Sequence, residues 1–213
     1  MSEGTVGLSG RRAQAARNDT LILDAARAVF IADPDAPISA VAERAGVGIS
    51  ALYRRYESKE ELLRHLAGEA LQRYIAAVEK ALDSDDDPWE LFAEFLRDVV
   101  DADTHSLTLA LAGTFESTEE LDRAAEYAHE LNMRLFDRTS AAGEIRPGLD
   151  VNDLSFIFEQ LAAIRGGGEQ RTRELRQRYL ALLLDAIHNP EGSPLPGSPP
   201  TWAEISERWE VPH

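Results

Sequence analysis

The chain has 213 residues, 44% of them hydrophobic, and a formal charge of -16 at pH 7. That composition supports one sizeable core, or a small domain joined to a larger one, and no run approaches the ~18 apolar residues of a membrane span. The absence of cysteine excludes disulfides, thiolate nucleophiles and thiolate metal sites, and the polar start, Met1 to Gly10, lacks the apolar core of a secretory signal, so a cytoplasmic location is expected.

The charge is unevenly spread. Residues 1–60 hold eight basic and eight acidic side chains, so the whole acidic excess falls on residues 61–213. A uniformly acidic body repels phosphate, whereas an N-terminal part near neutrality leaves room for a basic patch.

Helical periodicity dominates and no series of alternating strands is visible, so the fold class expected is all-α, with about nine helices. Ile22, Ala25, Ala26, Val29 and Phe30 follow the rhythm of one buried stripe, ended by Asp33-Pro34 and Pro37. Ile38, Val41, Ala42 and Ala45 repeat that pattern over two turns, and Gly46 supplies a residue able to take positive φ. A third short helix is expected from about Ile49 to Tyr56. Ser58-Lys59-Glu60-Glu61 reads as a capping box, starting a long helix that breaks near Leu82 in the acidic run Asp83 to Asp87. Further helices are expected over Trp89 to Ala102, His105 to Ala112, Thr118 to Ser140 with caps at Ser117 and Glu120, Val151 to Arg165 capped by Asp150, and Gln170 to Ile187. The Pro/Gly/Ser-rich stretch Asn189 to Pro200 is expected to be extended, with Trp202 and Trp209 beyond it able to dock back. The domain organisation this implies is a tail over 1–10, a three-helix domain over 11–58, a larger helical bundle over 59–188 and a C-terminal tail over 189–213.

Two short helices joined by a tight glycine turn, with a third in front, describe a helix-turn-helix, whose second member can lie in a DNA major groove. If Val41, Ala42, Val47, Leu52 and Tyr56 pack inward, Gly48, Ser50, Ala51, Arg54 and Arg55 are left facing out. Small residues permit close approach to base edges, and arginines bind phosphate or guanine. Arg11, Arg12 and Arg17 could add a basic arm or be a solvated terminus.

The run from Pro37 to Leu63, PISAVAERAGVGISALYRRYESKEELL, resembles the DNA-binding signature of TetR-type repressors, and the likeness extends back over Ala25-Ala26 and Phe30. Ala142 to Asp150 is similar to a connector common in that family. The resemblance implies that Tyr53 and Lys59 contact backbone phosphates and that Gly48, Ile49, Ser50, Ala51 and Arg55 approach the duplex. Ser50-Ala51 stands where members often have Gly-Thr, so an operator sequence does not transfer. Tyr56 stands where Phe is common; its ring suits the core. The resemblance also implies a homodimer through the last two long helices, here Val151 to Arg165 and Gln170 to Ile187, and a small-molecule effector pocket within the C-terminal domain. Candidate lining residues are Trp89, Phe92, Phe95, Leu107, Leu111, Tyr127, Met133, Phe136 and Phe158, each of which is equally an ordinary core position.

Other constellations are weaker. Asp83, Asp85, Asp87 and Glu94 match calcium-loop positions, but Pro88 occupies the position that needs positive φ. His129-Glu130 begins a zinc-helix motif in which Met133 replaces the second histidine. No nucleophile elbow or phosphate loop frames a catalytic group, so neither enzyme activity nor a cofactor nor a metal is expected. The basic run Arg171, Arg173, Arg176 and Arg178 is spread around its helix and reads as solvated and salt-bridged. The expected function is a ligand-responsive repressor binding a palindromic operator as a homodimer; an activator of the same fold and a helical interaction module are the alternatives.

Overall fold

The computed structural model describes residues 19–207, and every regular element among them is helical. The basic arm at Arg11, Arg12 and Arg17 and the residue Trp209 lie outside the described residues. Residues 19–32 form α1, followed by α2 (Ile38–Ala45), α3 (Ile49–Tyr53), α4 (Lys59–Leu82), α5 (Pro88–Asp101), α6 (Thr104–Leu111), α7 (Glu119–Ala141), α8 (Asp153–Ala163), α9 (Glu169–Ile187) and α10 (Trp202–Ser206). The chain divides into two compact units between Leu66 and Ala67, inside α4.

In the first unit the stripe expected on α1 is the buried one: Ile22, Ala25, Ala26 and Phe30 are all buried, with Val29 half-buried beside them. Ile38, Val41 and Ala42 of α2, Leu52 of α3, Tyr56, and Leu62, Leu63 and Leu66 at the start of α4 are buried as well. The α4 start is a shifted capping box. Ser58 Oγ accepts from the Glu61 N–H at 3.1 Å, but the Glu61 carboxylate returns to the N–H of Glu57 rather than to that of Ser58.

In the second unit α5 packs against α6, α7, α8 and α9. Its position follows from its sequence: Asp87 caps the first turn by accepting from the Glu90 N–H, Pro88 sits at the first helical position, and Trp89, Phe92, Phe95, Leu96 and Val99 present a continuous buried face. The acidic run is therefore in part a helix start. The guanidinium of Arg138 donates to the carbonyls of Ala81 and Leu82, satisfying acceptors that the end of α4 leaves open.

Three expectations are corrected. First, α8 runs from Asp153 to Ala163 rather than from Val151 to Arg165. Asp150 Oδ1 accepts from the Asn152 N–H while Asp153 Oδ2 accepts from the Asp150 N–H, which stabilises a turn ahead of the helix, and Ile164 is extended. Second, α7 is capped by Thr118, whose hydroxyl accepts from the Leu121 N–H; Ser117 bonds to Asp122 instead. Third, Arg176 is not solvated. Its residue is only 5% exposed, Nη1 meets Asp103 Oδ1 at 2.5 Å, Nη2 donates to Ala162 O at 2.9 Å and Nε to Ile164 O at 3.4 Å. One side chain thus closes the end of α8 and anchors the α5–α6 turn, where Asp103 holds a positive φ of 48°. Positional spread around a helix did not reveal this, because the partners come from distant segments.

Residues 189–200 contain no helix, as expected, but the chain beyond them forms α10, started by a capping box between Thr201 and Glu204. Trp202 stacks on the His129 ring at 4.0 Å, Ile205 is buried, and Arg146 donates to Ser193 O, so the C-terminal segment is docked. Burial holds the His129 pKa below the ordinary histidine value, against the opposite pull of Asp150 and Glu130.

Arg176→Ala is expected to destabilise the protein by about 3 kcal/mol, since it leaves Asp103 without its guanidinium partner and the carbonyls of Ala162 and Ile164 with Arg165 as their remaining side-chain donor. Arg173→Ala and Arg178→Ala, both at exposed positions, are expected to stay within about 0.5 kcal/mol of the parent. Denaturant titration of the three variants checks the contrast.

Candidate nucleic-acid interface

The turn between α2 and α3 determines what α3 displays. Gly46 adopts φ 66° and ψ 28°, its N–H bonds to the end of α2, and Val47 N donates to Ala42 O at 3.0 Å. This is a left-handed helix stop, in which glycine avoids the ~1–2 kcal/mol that a Cβ would cost there. Gly48 then starts α3, accepting from the N–H groups of Ala51 and Leu52.

With five residues, α3 is too short to be stable alone and depends on tertiary anchoring. Leu52 supplies the anchor, with no exposed surface, and its carbonyl accepts from the N–H groups of both Arg55 and Tyr56. The Tyr56 ring is buried and tilts against His65 at 5.5 Å. Of the residues expected to pack inward, Val41, Ala42, Leu52 and Tyr56 do so fully, and Val47 is half-buried.

The opposite side is open. Gly48, Ile49, Ser50, Tyr53, Arg54 and Arg55 are exposed, Ile49 to 40% and Tyr53 to 48%, and Ala51 is half-buried. An exposed isoleucine and tyrosine flanked by two arginines give apolar surface, a hydroxyl and guanidinium donors on one short segment, the set needed for thymine methyls, phosphates and guanine edges. No residue's Cβ is needed at Gly48, and the space around that position is open, so a duplex can approach the backbone closely.

Two contacts have no signal in the sequence. Arg55 Nη2 lies 2.7 Å from Asp19 Oδ2, linking the end of the α3 segment to α1. Lys59 donates from Nζ to Pro34 O at 2.8 Å and sits 5.3 Å from the centroid of the Phe30 ring. Its ammonium therefore already braces the loop before α2, with further donors left over. Neither pairing follows any helical or strand spacing, and both join residues far apart in the chain.

In the second unit, Trp89, Phe92, Phe95, Phe136 and Phe158 belong to one buried cluster, and Leu107 and Leu111 are buried on α6. Tyr127 and Met133 instead lie at the surface, 43% and 37% exposed, with the Tyr127 hydroxyl donating to Glu79 at 2.8 Å. The cluster borders a half-buried polar pair that sequence reading did not single out: Tyr74 and Asn132 are hydrogen-bonded across α4 and α7, Tyr74 meets the Phe95 ring edge-on at 5.5 Å, and desolvation pushes its phenol pKa upward.

Residues 22–66, which contain α2, α3 and the turn between them, match the family model described as "Bacterial regulatory proteins, tetR family". Over those residues the chain carries a DNA-binding domain of the tetR type. It is accordingly a DNA-binding transcription regulator. Among solved structures, it is similar to a TetR transcription regulatory protein from Mycobacterium vanbaalenii, with 25% identity, coverage of 83% of this chain and 98% of that one, and a TM-score of 0.55. A TetR transcriptional regulator from Streptomyces coelicolor shares 24% identity over 79% of this chain and 97% of its own, with a TM-score of 0.56. The regulator LfrR from Mycobacterium smegmatis, solved in complex with proflavine, shares 23% identity over 78% and 95%, with a TM-score of 0.58, a likeness of fold. No curated protein matches the chain.

The inward and outward sides of α3 make opposite predictions. Leu52→Ala is expected to cost about 2–5 kcal/mol of stability. Tyr53→Ala is expected to change stability by no more than about 0.5 kcal/mol while weakening DNA binding. Thermal melting combined with a duplex-binding assay separates the two.

Proposed function

We propose that this regulator is a repressor that binds a palindromic operator as a homodimer and is released by a small-molecule effector. The observation that carries the reading is the exposed set on and around α3, Gly48, Ile49, Ser50, Tyr53, Arg54 and Arg55, held out by the buried Leu52. Base edges would be met by Ser50, Ala51 and the arginines, and phosphates by Tyr53 and Lys59. The setting would be the cytoplasm, where bacterial DNA is accessible; among the described residues no helix is long and apolar enough to cross a membrane.

A dimer is supported by α9. Leu175, Tyr179, Leu182 and Ala186 fall on one helical stripe; Leu175 is half-buried, Tyr179 48% exposed, Leu182 58% exposed and Ala186 exposed. Such a stripe at i, i+4, i+7 and i+11 is the pattern of a face awaiting a partner helix. Two reading heads one DNA turn apart, about 34 Å, would match a two-fold symmetric operator.

Effector control is supported by the composition of the second unit's core. Its aromatic cluster beside the Tyr74–Asn132 pair combines apolar surface with a few oriented polar atoms, the chemistry of a small-molecule site. An effector acts on DNA binding only through its unequal affinity for the binding and non-binding conformations. LfrR, similar to this chain in fold, was solved in complex with proflavine.

The test is a salt series of binding to duplexes recovered by selection from a random-sequence pool, with an Arg54→Ala/Arg55→Ala variant in parallel. Two chains per symmetric duplex are expected, with log affinity falling by roughly 0.9 per neutralised phosphate against log salt, and with weaker binding and a shallower slope for the variant. A parent and variant with the same affinity and slope would remove these arginines from the interface.

A further inference from the structure

Arg54 and Arg55 are exposed neighbours just after α3, which ends at Tyr53 rather than at the expected Tyr56, yet the fold treats them differently. Arg54 makes no ion pair among the described residues, whereas Arg55 is bound through Nη2 to Asp19 at 2.7 Å. The Arg55 side chain is 56% exposed and that of Asp19 is 25% exposed, so the pair stands at the surface with the guanidinium the more open partner. Exposed pairs contribute little to folding, so stability alone gives this contact no clear purpose. It also places a carboxylate within a face whose ligand is a polyanion.

Two consequences follow from the chemistry of the pair. A guanidinium has five N–H donors in a rigid fork, and occupying one edge leaves the others for a further acceptor in an orientation already fixed. A contact that needs orientation, such as two bonds to one guanine edge, gains from this pre-organisation. A contact that needs only charge loses, because the Asp19 carboxylate offsets the arginine's positive charge and repels an approaching phosphate. The pair thus favours geometric over purely electrostatic binding.

We propose that Asp19 is a specificity-determining positioning residue: acting through Arg55, it suppresses binding to arbitrary DNA while preserving binding to the operator. The inference rests on the reading of Arg55 as a DNA contact. It assigns a role to a residue of α1 that itself need not touch DNA.

The experiment compares the full chain with Asp19→Asn, using as probes a duplex recovered by selection from a random-sequence pool and a scrambled duplex of the same composition. Asp19→Asn keeps the shape and removes the charge. Binding to the scrambled duplex is expected to tighten about fivefold with little change for the selected one, so the ratio of the two affinities falls by about that factor. The salt slope on scrambled DNA should steepen by up to about 0.9, the signature of one more neutralised phosphate. In an Arg55→Ala background the same substitution should change neither quantity. Equal weakening on both duplexes together with a lowered melting temperature would mean a merely structural tie between α1 and α3, and an unchanged ratio and slope would mean no role at all; either overturns the proposal. Recovery of no duplex by the parent chain would overturn the DNA-binding reading itself, and this inference with it.

Discussion

A helix of five residues has no independent stability in water, because the cost of its first turn is never recovered by later ones. Everything α3 displays therefore depends on one anchor, Leu52, and on the left-handed turn at Gly46 that aims the segment. With Leu52 facing in, Ser50 and Tyr53 are turned away from the core by the helical period, while Ile49, one turn before Leu52, stands at the core's edge and is left 40% exposed. The interface is a by-product of core packing in this sense. The presentation of its residues is determined by a buried leucine and a turn glycine.

Electrostatics refine what packing presents. The chain carries a formal charge of -16, but its N-terminal 60 residues balance, and the two arginines that follow α3 sit within that balanced part. Balance is not neutrality at every point. Among the described residues Arg54 makes no ion pair, whereas Arg55 is matched by Asp19 and Lys59 donates to the carbonyl of Pro34. On the reading proposed, a face built from partly committed cations would bind less tightly to DNA in general and leave more of its discrimination to shape and hydrogen bonding.

The sequence made the local elements legible where periodicity and a punctuating residue agreed. Gly46 marked the turn, the acidic run after Leu82 marked the break between α4 and α5, and Gly166 to Gly168 separated α8 from α9. Elements were misplaced where side chains compete for backbone groups: Asp150, Asn152 and Asp153 all could cap, and only the folded turn shows that they bond to one another. Contacts across the chain were not legible at all. Arg176 looked like one of four similar surface arginines, and its burial against Asp103, Ala162 and Ile164 depends on where three other segments end. The pairing of Asp19 with Arg55 is of the same kind. Tyr127 and Met133 illustrate the converse, since apolar residues on a long helix need not all face its core.

The claim that the outward side of α3 meets DNA is tested most directly by site-specific photocrosslinking. A photoreactive residue placed at Ile49, with a second chain carrying it at Leu182 as control, would be irradiated with a selected duplex. The account predicts a protein–DNA adduct from position 49 and a protein–protein adduct from position 182. A chain that binds the duplex but yields no DNA adduct from position 49 would contradict it.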